Sequence, residues 1–329
     1  MIGVSVVVPT YKRIDQTLKT LQLILASEGS ISDFNLEVIV ADCTPDESLH
    51  KAISKTFGDT ILYKRTPKQG ISTNKNQGAR IAQYDTLIFC DSDIEVEPDT
   101  IVKTVVALQA APRAAMIGGS VLWRGGERDG QIDRPEADDR RIVYKGTTYI
   151  EVLYSRYIAT YKHILEKVGR YDEEVFNMRG EGADLSTRYW RAGYPLVYDA
   201  AIIVHHIFDA PDSAAIRIDN PEYAVARDFF LLSYKYSMID KDYPHFQHTI
   251  NNYFNRFSGE GPSAILKGLG KYWKQIESAT ATLNQFRKND SPKYDLKFLE
   301  IFSDEEKVKE CIDQADYCGL LEPSNPSIL

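Results

Sequence analysis

The sequence predicts an α/β fold: a mostly parallel sheet with helices on both faces, followed by a helical C-terminal appendage. Three observations carry this. Residues 4–8, 36–41 and 86–90 are continuous apolar runs, as expected of strands buried on both faces. Apolar residues recur at helical spacing in the stretches between them. Each strand–helix pair repeats within about thirty residues, the length of a parallel crossover unit.

Taken in order, Pro9 and Thr10 end the first strand, and Ile14, Leu18, Leu21 and Leu25 mark the helix after it. The second strand runs into Asp42-Cys43-Thr44-Pro45-Asp46, and Leu49, Ile53 and Phe57 mark the next helix. Residues 61–63 read as a short third strand. After Gly70, Ser72 is the expected N-cap of a helix through Ala82. The fourth strand is 86–90, and Pro98-Asp99 opens a helix through Leu108. Residues 114–123 read as a strand and 124–141 as a polar loop of unusual length, with 124–147 expected either as a lid over the donor or as a disordered insertion. Residues 152–168 read as a helix, as do 185–192, with Gly193 as the stop. Residues 196–204 read as a strand that ends in His205-His206. From Pro221 the periodicity is helical: Tyr223, Ala226, Phe230 and Tyr234 share a face, as do Ile265, Leu269, Tyr272, Trp273 and Ile276, and 304–317 is a third such stretch. The expected organisation is one domain over 1–215, with halves at 1–112 and 113–215, and a helical region over 216–329.

Composition narrows the function. Of 329 residues, 43% are hydrophobic and 26% charged, an ordinary globular balance, and a net charge of −8 gives no electrostatic reason to bind nucleic acid. The four cysteines show no close metal-type pairing, which points to a reducing compartment. Strand-like sequence from Val4 leaves no room for a signal peptide, and no apolar run is long enough to span a bilayer. The expected location is cytoplasmic. Membrane contact would be peripheral, with the stripe around Trp273, flanked by Lys267, Lys271 and Lys274, as a candidate surface.

The fourth strand ends in Asp91-Ser92-Asp93. Two carboxylates that close repel each other unless a cation is present, and paired oxygen ligands at a strand end suit a hard divalent ion that also holds phosphates. A third ligand is expected from His205 or His206; alternation along a strand puts one of them in the crevice. Asp42, level with Pro9 and Thr10, can accept from a base or ribose, or cap its own turn. No glycine-rich phosphate loop follows Val8, so side chains and a metal must hold any nucleotide. Lys75 is placed to neutralise phosphate, and Asn74 and Asn76, poor helix formers, mark a functional or capping helix start. Glu181 and Asp184 flank a helix start, where the dipole favours them, and either is a candidate general base. Arg188 is placed to pair with Asp184 or to reach a phosphate.

Together these residues resemble the family 2 glycosyltransferases of the GT-A fold, over roughly Val4 to Ser213. Val6-Val7-Val8-Pro9-Thr10-Tyr11 looks like the family's opening strand, and Val40-Ala41-Asp42 like the segment whose Asp contacts the base. Gly70-Ile71-Ser72-Thr73-Asn74-Lys75-Asn76-Gln77-Gly78 is similar to the family's Gly-x-x-x-Ala-Arg-Asn-x-Gly stretch, with Lys75 where Arg is usual. Asp91-Ser92-Asp93 matches the Asp-x-Asp motif. Val168-Gly169-Arg170-Tyr171-Asp172-Glu173 resembles the Gly-Gly-Phe-Asp-Glu segment, and Val204-His205 the strand that supplies a metal-binding His. One position departs: Gly182 stands where the family's Glu-Asp-x-Asp-Leu has its base Asp.

The resemblance implies a GT-A type, Rossmann-like sheet and inverting transfer of a sugar from a nucleoside diphosphate sugar to a glycan or lipid-linked acceptor. It implies Mn²⁺ or Mg²⁺ on Asp91, Asp93 and His205. Donor contacts fall on Pro9, Thr10, Asp42, Asn74, Lys75, Asp91, Ser92 and Arg188, with Glu181 or Asp184 as base. Two other readings compete: a weakened sugar-nucleotide-binding subunit of a polysaccharide assembly, and a sugar nucleotidyltransferase, which should carry a glycine- and arginine-rich loop after its first strand.

Overall fold

The structure, a computed structural model, describes residues 2–28, 34–66, 70–111, 114–125, 129–133, 141–176, 180–207, 231–236, 277, 293–294, 296 and 300–315. Its first half alternates strand and helix: β1 (Ile2–Thr10), α1 (Ile14–Glu28), β2 (Phe34–Asp42), α2 (Ser48–Phe57), β3 (Leu62–Arg65), α3 (Ile71–Ile81) and β4 (Thr86–Cys90). Then come β5 (Ile94–Val96), α4 (Thr100–Ala110), β6 (Met116–Arg124), β7 (Ile132–Asp133), β8 (Arg141–Tyr144) and β9 (Thr147–Ile150). The last described elements are β10 (Tyr157–Tyr161), α5 (Lys162–Lys167), α6 (Glu181–Arg191), β11 (Leu196–Ile207) and α7 (Glu305–Asp313).

One sheet runs in the order β3-β2-β1-β4-β10-β6-β11-β9-β8, with β5 paired to β11 and β7 to β6. Strands β1 to β4 are mutually parallel where they pair, and β6 is parallel to β11. Strand β10 lies antiparallel between these two blocks. The apolar runs explain the centre: Val4, Val6, Val7 and Val8 of β1 and Leu87 to Cys90 of β4 are fully buried. The chain leaves β1 for β2 on one side and later fills β4 on the other. Strand order therefore reverses beside β1, the place where open α/β sheets leave a ligand crevice. Thr10 is in register with Asp42 there.

Helix α3 packs on β1 and β2. The approach is close enough that a Cβ on Gly78 would stand 2.2 Å from Val7 Cγ1, so only glycine fits that turn of the helix. Its first turns are polar yet buried: Ser72, Thr73, Asn74, Lys75 and Asn76 are at most 2% exposed. Buried polar groups must be hydrogen-bonded, and these tie α3 to its surroundings. Ser72 donates to the Phe176 carbonyl, Asn74 to that of Thr10, Lys75 to that of Ser155, and Asn76 to that of Tyr171.

Four sequence expectations change. Residues 152–168 are not one helix: 157–161 form the buried central strand β10, and only α5 is helical. A fully buried apolar run shows no readable period, and Tyr157, Ile158, Thr160 and Tyr161 have strand-favouring side chains. Ser72 is not an N-cap; α3 begins earlier, after Gly70, and the Ser72 hydroxyl reaches across to another segment. Strand β11 continues through both histidines instead of stopping before them. The described residues after Arg124 include strand β7 and the β8–β9 hairpin, where a loop was expected.

The C-terminal residues that are described join the main core. Ile301, Val308, Cys311 and Ile312 are buried in the same cluster as Trp190, and Phe302 meets the Trp190 ring edge-on at 5.4 Å. The Asp304 side chain caps α7 by accepting from Lys307 N–H at 3.2 Å. Residues 231–236 are helical and bury Leu231, Leu232 and Tyr236 against Val175 and Phe176. No helix among the described residues is long and apolar enough to cross a membrane. Ser213, Tyr223, Ala226, Phe230 and the stripe around Trp273 lie outside the described residues.

Candidate active site

Asp91 follows β4 directly, and its N–H is held by the Arg156 carbonyl at 2.8 Å. A turn closed by Ile94 N–H on the Asp91 carbonyl (3.1 Å) leads into β5. Strand β5 pairs antiparallel with β11, placing Ile94 opposite His206 and Glu95 opposite His205, and Ile207 N–H donates to the Asp93 carbonyl at 2.9 Å. The pairing thus carries the two histidines to the two carboxylates. Neighbouring strand residues point to opposite faces. His206 Nε2 lies 3.4 Å from Asp93 Oδ2, whereas His205 Nε2 meets Glu97 Oε1 at 3.2 Å. Of the two histidines, it is thus His206, not the preferred His205, that stands beside Asp93. The same Asp93 oxygen also accepts from Arg13, a residue the sequence reading passed over. Burial pushes the Asp93 carboxyl up, but His206 and then Arg13 outweigh it and bring it down to about 2.

Lys75 is fully buried. Its ammonium donates to the Ser155 carbonyl at 2.6 Å, stands 3.2 Å from Asp91 Oδ1 and 3.9 Å from Glu181 Oε1, and lies over the Tyr171 ring. Asp91 Oδ1 is at ion-pair distance from Lys75 but has no directed hydrogen bond among the described residues. Burial pushes the Asp91 carboxyl up to about 6; Lys75 opposes that rise, while Asp93 and Glu181 add to it. Glu181 opens α6 after Gly180, which takes the left-handed φ of 78° that turns the chain into the helix. Its carboxylate accepts from the Ser155 hydroxyl and faces Lys75. A Cβ on Gly182 would stand 3.1 Å from the Leu153 carbonyl and 3.3 Å from Ser155 Cβ. The position that carries a base in the family thus abuts the 153–155 backbone.

Asp184 does not join this group. It is fully buried and accepts from Lys235 Nζ at 2.6 Å, the Tyr236 hydroxyl at 2.9 Å and Arg188 Nε at 2.9 Å. Burial raises its carboxyl, but Arg188 and Lys235 more than compensate and hold it at about 2. A carboxylate that weakly basic, with its oxygens occupied, is a poor proton acceptor. Asp184, an expected base candidate, thus stands in a buried ion-pair cluster with Arg188 and Lys235, apart from Glu181. Arg188, expected to pair with Asp184 or to reach a phosphate, pairs with Asp184 and donates to the Val168 carbonyl.

Of the remaining predicted donor contacts, Pro9, Thr10 and Asp42 lie at the ends of β1 and β2, with Asn74 of α3 hydrogen-bonded to Thr10. Pro9 and Thr10 are buried, and the Thr10 carbonyl accepts from Asn74 Nδ2 at 2.9 Å. Asn74 Oδ1 accepts from Thr66. Asp42 is sealed: Oδ1 accepts from the Thr44 N–H and hydroxyl, and Oδ2 from the Tyr63 hydroxyl at 2.6 Å. Its observed role is the turn cap. The Ser92 side chain is buried, and its carbonyl accepts from the Thr20 hydroxyl at 3.1 Å.

The donor set suits a hard divalent cation. Asp93 Oδ2 and His206 Nε2, 3.4 Å apart, are spaced for one ion, since ligands about 2.1 Å from a metal sit about 3 Å from each other. Asp91 Oδ1 and His206 Nδ1 are buried without a hydrogen bond among the described residues. No three His, Cys, Asp or Glu side chains among those residues already converge on one point.

Residues 5–168 match the family described as Glycosyl transferase family 2. The chain belongs to that family. This family 2 chain is 25% identical over 222 residues to polypeptide N-acetylgalactosaminyltransferase 3 of Homo sapiens, a match covering 58% of it and 34% of the relative. It spans about a third of the length of the curated relatives it matches. Among solved structures, S. aureus TarS in complex with UDP-GlcNAc superposes with a TM-score of 0.57 at 13% identity, over 95% of this chain and 89% of that one. The mannosyltransferase PcManGT from Pyrobaculum calidifontis, in complex with GDP-Man and Mn²⁺, gives 0.54 at 16% identity, over 94% and 84%. These likenesses establish the GT-A fold for this family 2 chain.

Proposed function

We propose that this protein transfers a sugar, with inversion, from a nucleoside diphosphate sugar to a hydroxyl of a glycan or lipid-linked saccharide, and that it needs Mn²⁺ or Mg²⁺. The observation that carries this is the placement of Asp91 and Asp93 at the end of β4, with Glu181 reaching the same group through Lys75. The nucleotide sugar in each of the two structural neighbours, and the Mn²⁺ in PcManGT, support it.

Asp93 and His206 would hold the cation, with Asp91 beside them. When bound, it supplies Lewis-acid neutralisation of the departing diphosphate. Thr10, Asp42 and Asn74 shape the floor under the nucleotide. Glu181 is the base: as the acceptor oxygen attacks the anomeric carbon opposite the leaving diphosphate, its proton passes to the Glu181 carboxylate. The sugar's bond to the diphosphate oxygen breaks with its electrons going to the diphosphate. Lys75 fixes the Ser155 backbone, whose hydroxyl donates to Glu181, so the lysine holds the base in place without touching substrate. Gly182 favours a second reading, a donor-binding subunit of weakened activity, because it lacks the family's base and a Cβ there would press on the Leu153 carbonyl and Ser155.

A thermal-shift panel of UDP-, GDP- and dTDP-sugars with Mn²⁺ identifies the donor. Titration calorimetry of that donor on Asp93→Ala should then show metal-dependent binding abolished, and unchanged affinity would refute the site. Donor hydrolysis or transfer by the wild type separates the enzyme from the weakened subunit.

A further inference from the structure

The residue that the function above leaves unused is Arg13. It lies in the loop between β1 and α1, its side chain is 11% exposed, and its guanidinium is paired to Asp93 Oδ2, the oxygen that also faces His206. We propose that Arg13 keeps the cation's place on Asp93, and passes to the donor's diphosphate when cation and donor arrive together. The inference rests on the donor- and cation-binding reading of this site.

Three features lead to it. First, guanidinium stays protonated at every working pH, so Asp93 always has a positive partner. A cation can take that oxygen only by displacing Arg13. Second, the loop is held in a conformation that side chains disfavour. Lys12 and Arg13 both have positive φ, 64° and 27°. Holding it are the Lys12 N–H on the Thr44 hydroxyl at 2.7 Å and that hydroxyl on Asp42 Oδ1 at 2.6 Å. The sealed Asp42 turn therefore presents Arg13 to Asp93, which gives Asp42 a positioning role. Third, a guanidinium released at the carboxyl end of β1 is at the strand end where the diphosphate would lie. Its planar fork matches phosphate oxygens.

The consequence is coupled loading. A bare cation must break the Arg13–Asp93 pair to reach Asp93. A cation arriving with a nucleoside diphosphate gives Arg13 a new partner. Cation and nucleotide should therefore strengthen each other's binding by the same factor.

The test measures Mn²⁺ binding by the loss of its free electron-paramagnetic-resonance signal, alone and with UDP or GDP, in wild type, Arg13→Ala and Arg13→Lys. Removing a partly buried competitor should tighten binding of Mn²⁺ alone about tenfold in Arg13→Ala, and weaken UDP or GDP binding in saturating Mn²⁺ about tenfold. Arg13→Lys should keep Mn²⁺ affinity near wild type because it keeps the charge. Unchanged or weaker binding of Mn²⁺ alone by Arg13→Ala overturns the proposal. So does Arg13→Lys behaving like Arg13→Ala, which would assign the effect to loop relaxation. If no variant, wild type included, binds Mn²⁺ with or without UDP or GDP, the functional reading falls as well. If wild type binds the Mn²⁺–nucleotide pair and only the Arg13→Ala gain is missing, the functional reading stands alone.

Discussion

Asp184→Asn separates a structural carboxylate from a catalytic one. The substitution keeps the side-chain size and removes the charge. In the wild type the carboxylate is fully buried between Arg188 and Lys235 and also accepts from Tyr236. Its loss leaves two cations facing each other without their shared anion. Breaking a buried ion pair from one side costs about 3–5 kcal/mol. Lys235 has a second carboxylate, Asp172 Oδ2 at 3.8 Å, so the lower end, about 3 kcal/mol, is expected. That is a large part of a typical domain's stability of about 5–15 kcal/mol. The pH dependence follows from the lowered carboxyl, about 2 in the folded state against an ordinary 3.8. A lowered folded value contributes stability that is fully present above 3.8 and is lost as pH falls toward 2, here about 2 kcal/mol. Urea unfolding at pH 7 and pH 3, wild type against Asp184→Asn, reads both effects. The variant should unfold earlier at pH 7, and the gap should narrow at pH 3. Turnover per folded molecule should stay within about threefold of wild type. An unchanged urea midpoint with turnover reduced a hundredfold would make Asp184 the base and overturn the assignment.

Three further outcomes follow from the same geometry. Glu181→Gln should lower turnover about a hundredfold or more while donor affinity, measured by calorimetry, stays near wild type; a fall in affinity with turnover preserved would remove Glu181 from the chemistry. His206→Ala should weaken Mn²⁺ binding about tenfold or more and His205→Ala should not, because His205 faces Glu97; the reverse order would restore the sequence expectation. Gly78→Ala should destabilise by about 1–3 kcal/mol through overpacking on Val7, read as a lower melting midpoint, and a neutral result would show that α3 can shift off β1.

What could be read in the sequence was the part written in local patterns. β4 ends where its apolar run ends, and Asp91 and Asp93 follow as expected. The helix at Glu181 stops before Gly193, whose φ is 86°. What could not be read was set by long-range pairing. Strand β10 lies in the middle of the sheet, where burial on both faces removes any period, so 157–161 looked helical. The choice between His205 and His206 depends on the register of β11 against β5, a three-residue strand too short to announce itself. Asp184 looked like a base candidate because its partners Lys235 and Tyr236 are about fifty positions away in the chain. Arg13 had a visible signal, a basic residue just past the end of β1, but nothing local tied it to Asp93.

The charges around the site explain why these residues need one another. Among the described residues, Lys75 links Asp91 to Glu181 and Arg13 pairs with Asp93, so two cations are distributed over three carboxylates. Such a group carries about one net negative charge at neutral pH, enough to attract a divalent ion but too little to repel a diphosphate once that ion is present. Lys75 is the stiffer of the two cations. It is fully buried, hydrogen-bonded to backbone and shared between Asp91 and Glu181, so it sets the spacing between those two carboxylates. Arg13 sits on a strained loop and pairs with the carboxylate that would ligate the metal, so it is the cation that can move. An arginine at position 75, usual in the family, would bring a larger planar group into a space bounded by Ser155 and Tyr171. The compact ammonium and the crowded Gly182 backbone fit together: both let the 153–155 segment approach α3 and α6 closely, and that approach brings the Ser155 hydroxyl to Glu181. Lys75, Gly182 and Glu181 are thus one coupled arrangement, and changing Gly182 alone to Asp should cost stability without adding activity.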